Sequence, residues 1–196
     1  MGEETTRAYD TYTDEFDEKF ERSFMRYVKA YADRFMRHMI GKEILDLGSG
    51  PGHHAEHFKN AGYNVLCIDS SYKMVEKCRS KGLQALVVDM ENLEVMRKFD
   101  GIWAFASLLH LEKGKMREMI VKAKDWLNKD GIIGLGLKEG IGEGFEIDER
   151  YPGTRRWFSY YTDEDVRRIV EPHFTIVDAT SGRTDEFPFL NYILRR

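Results

Sequence analysis

Near residue 50 the chain reads Asp46-Leu47-Gly48-Ser49-Gly50-Pro51-Gly52-His53. Glycines at alternate positions let a backbone turn sharply, adopt positive φ and come close to a ligand. A phosphate-gripping loop would close on Gly-Lys-Ser/Thr, and none follows here. A dinucleotide fingerprint needs Gly-x-Gly-x-x-Gly/Ala. Counted from Gly48 it fails, because His53 takes the third position. Counted from Gly50 it closes on Ala55, with His53 and His54 crowded into the turn. A nicotinamide-dependent oxidoreductase therefore stays open as an alternative.

Two histidine features follow. His53-His54-Ala55-Glu56-His57 matches His-x-x-Glu-His, in which two histidines four apart on a helix share a zinc ion and the glutamate serves as base. His53, however, falls in the first helical turn inside the glycine loop, and no third ligand is evident downstream. The expectation is an exposed polar helix face with no metal. His110 closes the segment Ala106-Ser107-Leu108-Leu109-His110. Its imidazole titrates near neutrality, which makes it the candidate general base; the alternative is a structural contact in a loop.

The elements that must position these groups alternate. Apolar runs at 43–47, 64–69, 84–89, 101–105 and 131–137 read as strands. Helical patterns lie between them, through Phe58, over Tyr72–Ser80 and over Lys115–Leu127, the last with Met116, Ile120, Ala123 and Leu127 on one face. Alternation of this kind predicts an α/β fold, a three-layer Rossmann-like sheet that is mostly parallel. Helix Asp165–Val170 and apolar runs at 174–177 and 189–194 predict an antiparallel C-terminal edge pair. Before residue 40, Tyr9, Tyr12, Phe16, Phe20, Phe24, Tyr27, Tyr31 and Phe35 recur in steps of three and four, one face of a helix. Thr13, followed by Asp14 and Glu15, reads as an N-cap with an acidic first turn. Phe20 onward should pack on the sheet, and the aromatics before it form a cover.

Asp-x-Gly-x-Gly-x-Gly at 46–52 resembles the first motif of class I S-adenosylmethionine-dependent methyltransferases of the small-molecule type. The remaining motifs follow in order over nearly the whole chain. Asp69 ends the second strand about 20 residues after the glycines, where an acid accepts from both ribose hydroxyls. Asp89-Met90 ends the third strand, where the family places an acid on the adenine amino group beside an apolar neighbour. Phe99–Ala104, Asp130-Gly131 and Lys138-Glu139-Gly140 resemble later motifs, and Tyr9 with Tyr12 and Phe16 resembles an N-terminal motif that covers the cofactor. The resemblance implies S-adenosylmethionine as cofactor and S-adenosylhomocysteine as product. It places Tyr9, Asp46, Gly48, Ser49, Gly50, Gly52, Asp69, Ser70, Asp89, Met90 and Ala106 on the cofactor. Its DNA-methylating branch carries an Asn/Asp-Pro-Pro-aromatic motif that is absent here. Tyr12, Arg155, Arg156 and Tyr160, aromatics beside arginines, suit an anionic or flat acceptor.

The 196 residues predict one domain: an N-terminal helical cover (1–40), a cofactor-binding core (41–138), a substrate-side loop (139–161) and a C-terminal helix with edge strands (162–196). Net charge is −4, from 30 Lys and Arg against 34 Asp and Glu, which is no footprint for duplex nucleic acid. No apolar run approaches the roughly 18 residues of a membrane span. The acidic start is no secretory signal, and two cysteines make no disulfide framework. The expected setting is the cytoplasm, and the expected partner a small-molecule acceptor, with no nucleic acid or membrane. The expected reaction is methyl transfer to that acceptor. A binding or interaction protein that kept the pocket without turnover is the non-enzymatic alternative.

Overall fold

The computed structural model describes residues 2–184 and 186–196. The aromatic stripe of the first forty residues forms three helices rather than one: α1 (Glu3–Thr11), α2 (Thr13–Ser23) and α3 (Lys29–His38). Tyr12, at φ −115° and ψ 39°, leaves helical space between the first two. Thr13 does not cap α2. Its hydroxyl donates back to the carbonyls of Tyr9 (2.7 Å) and Asp10 (3.1 Å), so it closes α1 instead. A π-helical stretch at Phe24–Val28 joins α2 to α3. The extra residue in that turn rotates the stripe, so that Phe24, Val28, Tyr31 and Phe35 are buried while Tyr27 is half-buried.

The alternating region follows as β1 (Glu43–Leu47), α4 (His53–Asn60), β2 (Asn64–Asp69), α5 (Tyr72–Ser80), β3 (Gln84–Val87), β4 (Phe99–Phe105), α6 (Lys113–Trp126) and β5 (Leu127–Lys138). Leu127, expected to end the helix, begins β5. The segment expected as a loop holds a hairpin, β6 (Glu143–Glu146) against β7 (Arg156–Ser159), which forms its own two-stranded sheet. The chain ends with α7 (Asp163–Val170), β8 (Thr175–Arg183) and β9 (Pro188–Arg195). Thr162 and Asp165 open α7 with a reciprocal capping box.

The seven-stranded sheet has the order β3-β2-β1-β4-β5-β9-β8. Pairs among β1 to β5 are parallel, and β9 pairs antiparallel with both β5 and β8. The central strands are apolar on both faces because helices cover both. On one face Phe35, Phe58, Val75 and Trp103 bring α3, α4 and α5 into contact with the sheet. On the other, Ile120, Val166 and Ile169 bring down α6 and α7. Each fully buried large side chain contributes about 1.5–3 kcal/mol relative to exposure, so these two layers hold the frame on which the site rests. Among the described residues no helix is long and apolar enough to cross a membrane.

Candidate functional site

Sheet order reverses between β1 and β4, and a crevice at the carboxyl ends of the strands is where such sheets take ligands. A cavity of about 580 Å³ lies there. The glycine loop walls one end, the hairpin and the β8–β9 link wall the other, and α1 and α2 contribute Tyr9, Lys19 and Phe20.

The glycine end is made mostly of backbone. The amides of Gly48 and Ser49 donate to the Ile68 carbonyl at 2.8 and 3.0 Å, tying the loop to β2. Gly48 has φ +77°, and a Cβ there would stand 2.4 Å from Cβ of Ser107. Gly50 also has positive φ, +53°, but a Cβ would meet only Phe20, at 3.6 Å. Asp69 accepts from the amides of Gly50 and Ser71, both at 2.9 Å. Burial pushes its carboxyl up to about 6, with Asp10 adding to the rise and the backbone donors opposing it. An ionised carboxylate has about four lone-pair sites, so Asp69 keeps capacity for ligand hydroxyls.

Of the other expected cofactor contacts, Tyr9, Gly48, Ser49, Gly50, Asp69, Met90 and Ala106 line the cavity; Asp46, Gly52, Ser70 and Asp89 do not. Asp46 is buried behind the loop with Oδ2 unpartnered among the described residues. Its burial, with Cys78 and Asp69 nearby, pushes its carboxyl well above the usual range. Asp89 accepts from the Glu91 amide at 3.1 Å and so caps a short turn. The Ser70 hydroxyl meets that of Thr6 on α1 at 2.8 Å. Ala106 holds φ +54°, a strained conformation at a cavity wall. Ser107, not anticipated from sequence, lines the cavity with a buried hydroxyl that has no partner among the described residues.

The three histidines of the His-x-x-Glu-His stretch face three different partners. His53 Nε2 lies 2.6 Å from Asp17 Oδ1, an acid also paired with Lys77 and Lys81, and so locks α2 onto α4. His54 accepts from the Trp103 indole at 3.0 Å, and burial pulls its pKa down to about 3. His57 lies 2.7 Å from Asp33. Ala55, which would close the dinucleotide frame, is buried in the core beneath the loop.

The hairpin end is built from side chains. His110 Nδ1 lies 2.6 Å from the Trp157 carbonyl and Nε2 lies 2.7 Å from the Tyr9 hydroxyl. A carbonyl only accepts, so the proton sits on Nδ1 and Nε2 accepts from Tyr9. Burial pulls the imidazole down to about 3, and Arg156 and Lys138 push the same way. Arg156 lines the cavity, lies over the rings of Phe16 and Phe158 at 4.9 and 5.2 Å, and pairs with Asp148 at 3.3 Å. The other expected acceptor contacts lie outside the wall. Tyr12 donates to the Pro152 carbonyl, Arg155 pairs with Glu4 at 2.8 Å, and Tyr160 donates to Glu146 at 2.5 Å. Lys138, Arg150, Phe187 and Phe189 line the cavity instead.

The two ends differ in charge. The acids Asp69 and Asp46 stand at the loop, and the cations that line the cavity are Lys19, Lys138, Arg150 and Arg156. Lys19 and Arg150 meet Glu186 of the β8–β9 link, and Lys138 and Arg156 flank the Phe158 ring of β7, away from the glycines.

Residues 44–131 match a protein family described as a methyltransferase domain. The chain is 22% identical over 138 residues to a malonyl-[acyl-carrier protein] O-methyltransferase of Hamiltonella defensa, a match that covers 66% of this chain and 52% of that protein, about half its length. It is 25% identical over 187 residues to a glycine/sarcosine N-methyltransferase of Halorhodospira halochloris, covering 85% of this chain and 68% of that one. Among solved structures, a Burkholderia thailandensis 1,6-didemethyltoxoflavin-N1-methyltransferase with bound 1,6-didemethyltoxoflavin and S-adenosylhomocysteine superposes with a TM-score of 0.76 at 19% identity. That superposition covers 97% of this chain and 87% of that one, and it shows a shared fold.

Proposed function

We propose that the chain is a class I S-adenosylmethionine-dependent methyltransferase, a reading supported by the methyltransferase-domain match over residues 44–131, and that it moves the methyl group of S-adenosylmethionine to a small-molecule acceptor. The observation that carries this reading is one cavity with two chemically unlike ends under a common helical roof. A volume of about 580 Å³ suits small ligands rather than a polymer. The neighbour solved with 1,6-didemethyltoxoflavin and the relative named for glycine and sarcosine are both small-molecule enzymes by name, which supports the same class of acceptor.

In this reading the cofactor supplies an electrophilic methyl group on a sulfonium. Asp69 accepts from the ribose hydroxyls, the loop backbone at Gly48 lets the ligand come close, and the unpartnered Ser107 hydroxyl meets the amino-acid end. Met90 gives an apolar wall. Asp46 sits behind the loop, its carboxyl pushed well above the usual range by burial. The contacts by which α1 closes the roof include Thr6 on Ser70 at 2.8 Å, the Ser71 hydroxyl donating to Asp10 at 2.6 Å, Thr5 accepting from the Trp157 amide at 2.9 Å, and Tyr9 on His110. Excluding water this way strengthens every polar contact inside and aligns the displacement.

We assign His110 to holding Tyr9 in place. Its one free lone pair already accepts from Tyr9, and a base titrating near 3 does not retain a proton at neutral pH. The Tyr9 hydroxyl, fixed in this way at the cavity wall, is then available to orient the acceptor. Incubation with methyl-labelled S-adenosylmethionine and separate panels of small acceptors, proteins and RNA tests the proposal. Label should enter the small-molecule fraction; label confined to protein or RNA would sink it.

A further inference from the structure

Of the four cations that line the cavity, three have carboxylate partners. Lys19 meets Glu186, Arg150 meets Asp148 and Glu186, and Arg156 meets Asp148. Lys138 has none. It stands at the carboxyl end of β5 and is only 7% exposed. Its Nζ makes no hydrogen bond or ion pair among the described residues. Instead the ammonium sits 3.6 Å from the centre of the Phe158 ring, 3.7 Å from that of Phe187 and 5.6 Å from that of Tyr160. The acids within reach are committed elsewhere. Glu146 accepts from Tyr160, and Glu186 is shared by Lys19 and Arg150.

Ring faces compensate a buried cation only in part, each by about 0.5–2 kcal/mol. An ammonium largely withdrawn from water, with no carboxylate in salt-bridge contact, is costly for a fold to hold. Burial pulls the Lys138 pKa down to about 8, with Arg156 and Lys19 pushing the same way and Glu146 and Glu186 opposing. A methionine would fill an aromatic niche of this kind at no such cost. The cost falls at the hairpin end of the cavity, where an anionic group would relieve it.

We propose that Lys138 determines acceptor specificity: its ammonium receives the carboxylate of an aromatic acid whose ring lies against Phe158 and Phe187. This deepens the methyltransferase reading and rests on it. The carboxylate forms a charge-assisted contact that the free protein lacks, and the flat ring uses the same apolar wall. Phe105 and Phe189, stacked at 5.3 Å and 10°, extend that wall toward Ala106.

Calorimetric titration with 2-naphthoate and with 2-naphthamide, of protein alone and of protein saturated with S-adenosylhomocysteine, tests this. The carboxylate should bind about tenfold or more tightly than the amide. Lys138→Met and Lys138→Gln should abolish that preference and leave affinity for S-adenosylhomocysteine unchanged, while Lys138→Arg should keep part of it. Equal affinity for the two probes, binding of neither, or a preference that survives in Lys138→Met would overturn the assignment. Failure of S-adenosylhomocysteine to bind the parent protein would instead count against the methyltransferase reading. The naphthoate titration without it keeps the two failures apart.

Discussion

The two ends of the cavity are built from different material. At the glycine end the wall is loop backbone and one carboxylate, drawn from residues 48–50 and from Asp69 at the end of the adjacent strand, and hydrogen bonds inside the protein hold it in place. At the hairpin end the wall is made of side chains from residues 9, 110, 138, 156, 158 and 187, spread over most of the chain. Backbone geometry tolerates little change, because a methyl group added in the wrong place has nowhere to go. Side-chain walls can be exchanged one residue at a time without disturbing the fold. On the proposed function, the difference would mean that one end fixes what donates the methyl group and the other is free to determine what receives it.

The largest expected effect separates two neighbouring glycines. Gly48→Ala forces positive φ on an alanine and drives its Cβ into Ser107, so strain of about 1–2 kcal/mol adds to overpacking of about 1–3 kcal/mol. Gly50→Ala meets only the strain, since its Cβ finds ordinary space beside Phe20. Thermal melts and S-adenosylhomocysteine titrations should show Gly48→Ala losing about tenfold or more in affinity, with Gly50→Ala clearly milder. Equal losses would remove the close approach from the account.

Asp69 comes next, and it carries a pH dependence. Its folded pKa is raised from 3.8 to about 6, so the carboxylate proposed to accept from ribose hydroxyls is fully formed only above that value. Affinity for S-adenosylhomocysteine should fall as pH drops from 7.5 to 5, and Asp69→Asn should weaken binding about tenfold at pH 7.5 and flatten the profile. The linkage to stability has the opposite sense. A carboxyl raised in the folded state contributes stability that is complete below the unfolded value near 3.8 and is lost as pH rises through about 6. The ligand-free protein should therefore gain from Asp69 on mild acidification while ligand binding loses. Affinity that stays flat between pH 5 and 7.5 in the parent would contradict the assignment.

Tyr9→Phe probes the roof that joins the ends. It leaves the buried Nε2 of His110 without a donor, at a cost of about 1–3 kcal/mol. For a chain of this size each kcal/mol lowers Tm by about 2–4 °C. His110→Ala should change KM for the acceptor more than kcat, because it releases Tyr9 rather than removing a base; a shift confined to the pH profile of kcat would restore the base. Smallest of all should be the stability change in Lys138→Met. It breaks no ion pair, so Tm should hold level or rise, whereas a loss beyond about 4 °C would mean the ring contacts stabilise the fold substantially.

Legibility in the sequence follows the same division. The loop could be read because its instructions are local: alternate glycines between an apolar run and a helix, with Asp69 at the next strand end. The parallel sheet and its antiparallel edge were legible in the alternation of apolar runs with helical faces. The hairpin of β6 and β7 was not, since the glycine-rich stretch 139–161 carries no period-two pattern. Arg155 and Arg156 looked equivalent, yet neighbouring positions at a strand face opposite ways, and only Arg156 lines the cavity. Tyr160 lies just beyond β7 and donates to Glu146, a pairing that strand alternation does not predict. Lys138 was visible at the end of the fifth strand, but its lack of a partner is a property of the assembled cavity. The break at Tyr12 depends on Thr13 bonding backward, a choice that local propensity leaves undecided.

One titration bears most directly on the division of labour: S-adenosylhomocysteine into the parent protein, Asp69→Asn and Lys138→Met at pH 7.5. Micromolar binding to the parent, about tenfold weaker binding to Asp69→Asn and unchanged binding to Lys138→Met would place the cofactor at the glycine end and leave the hairpin end for the acceptor. No binding to the parent, or a loss in Lys138→Met as large as that in Asp69→Asn, would contradict it.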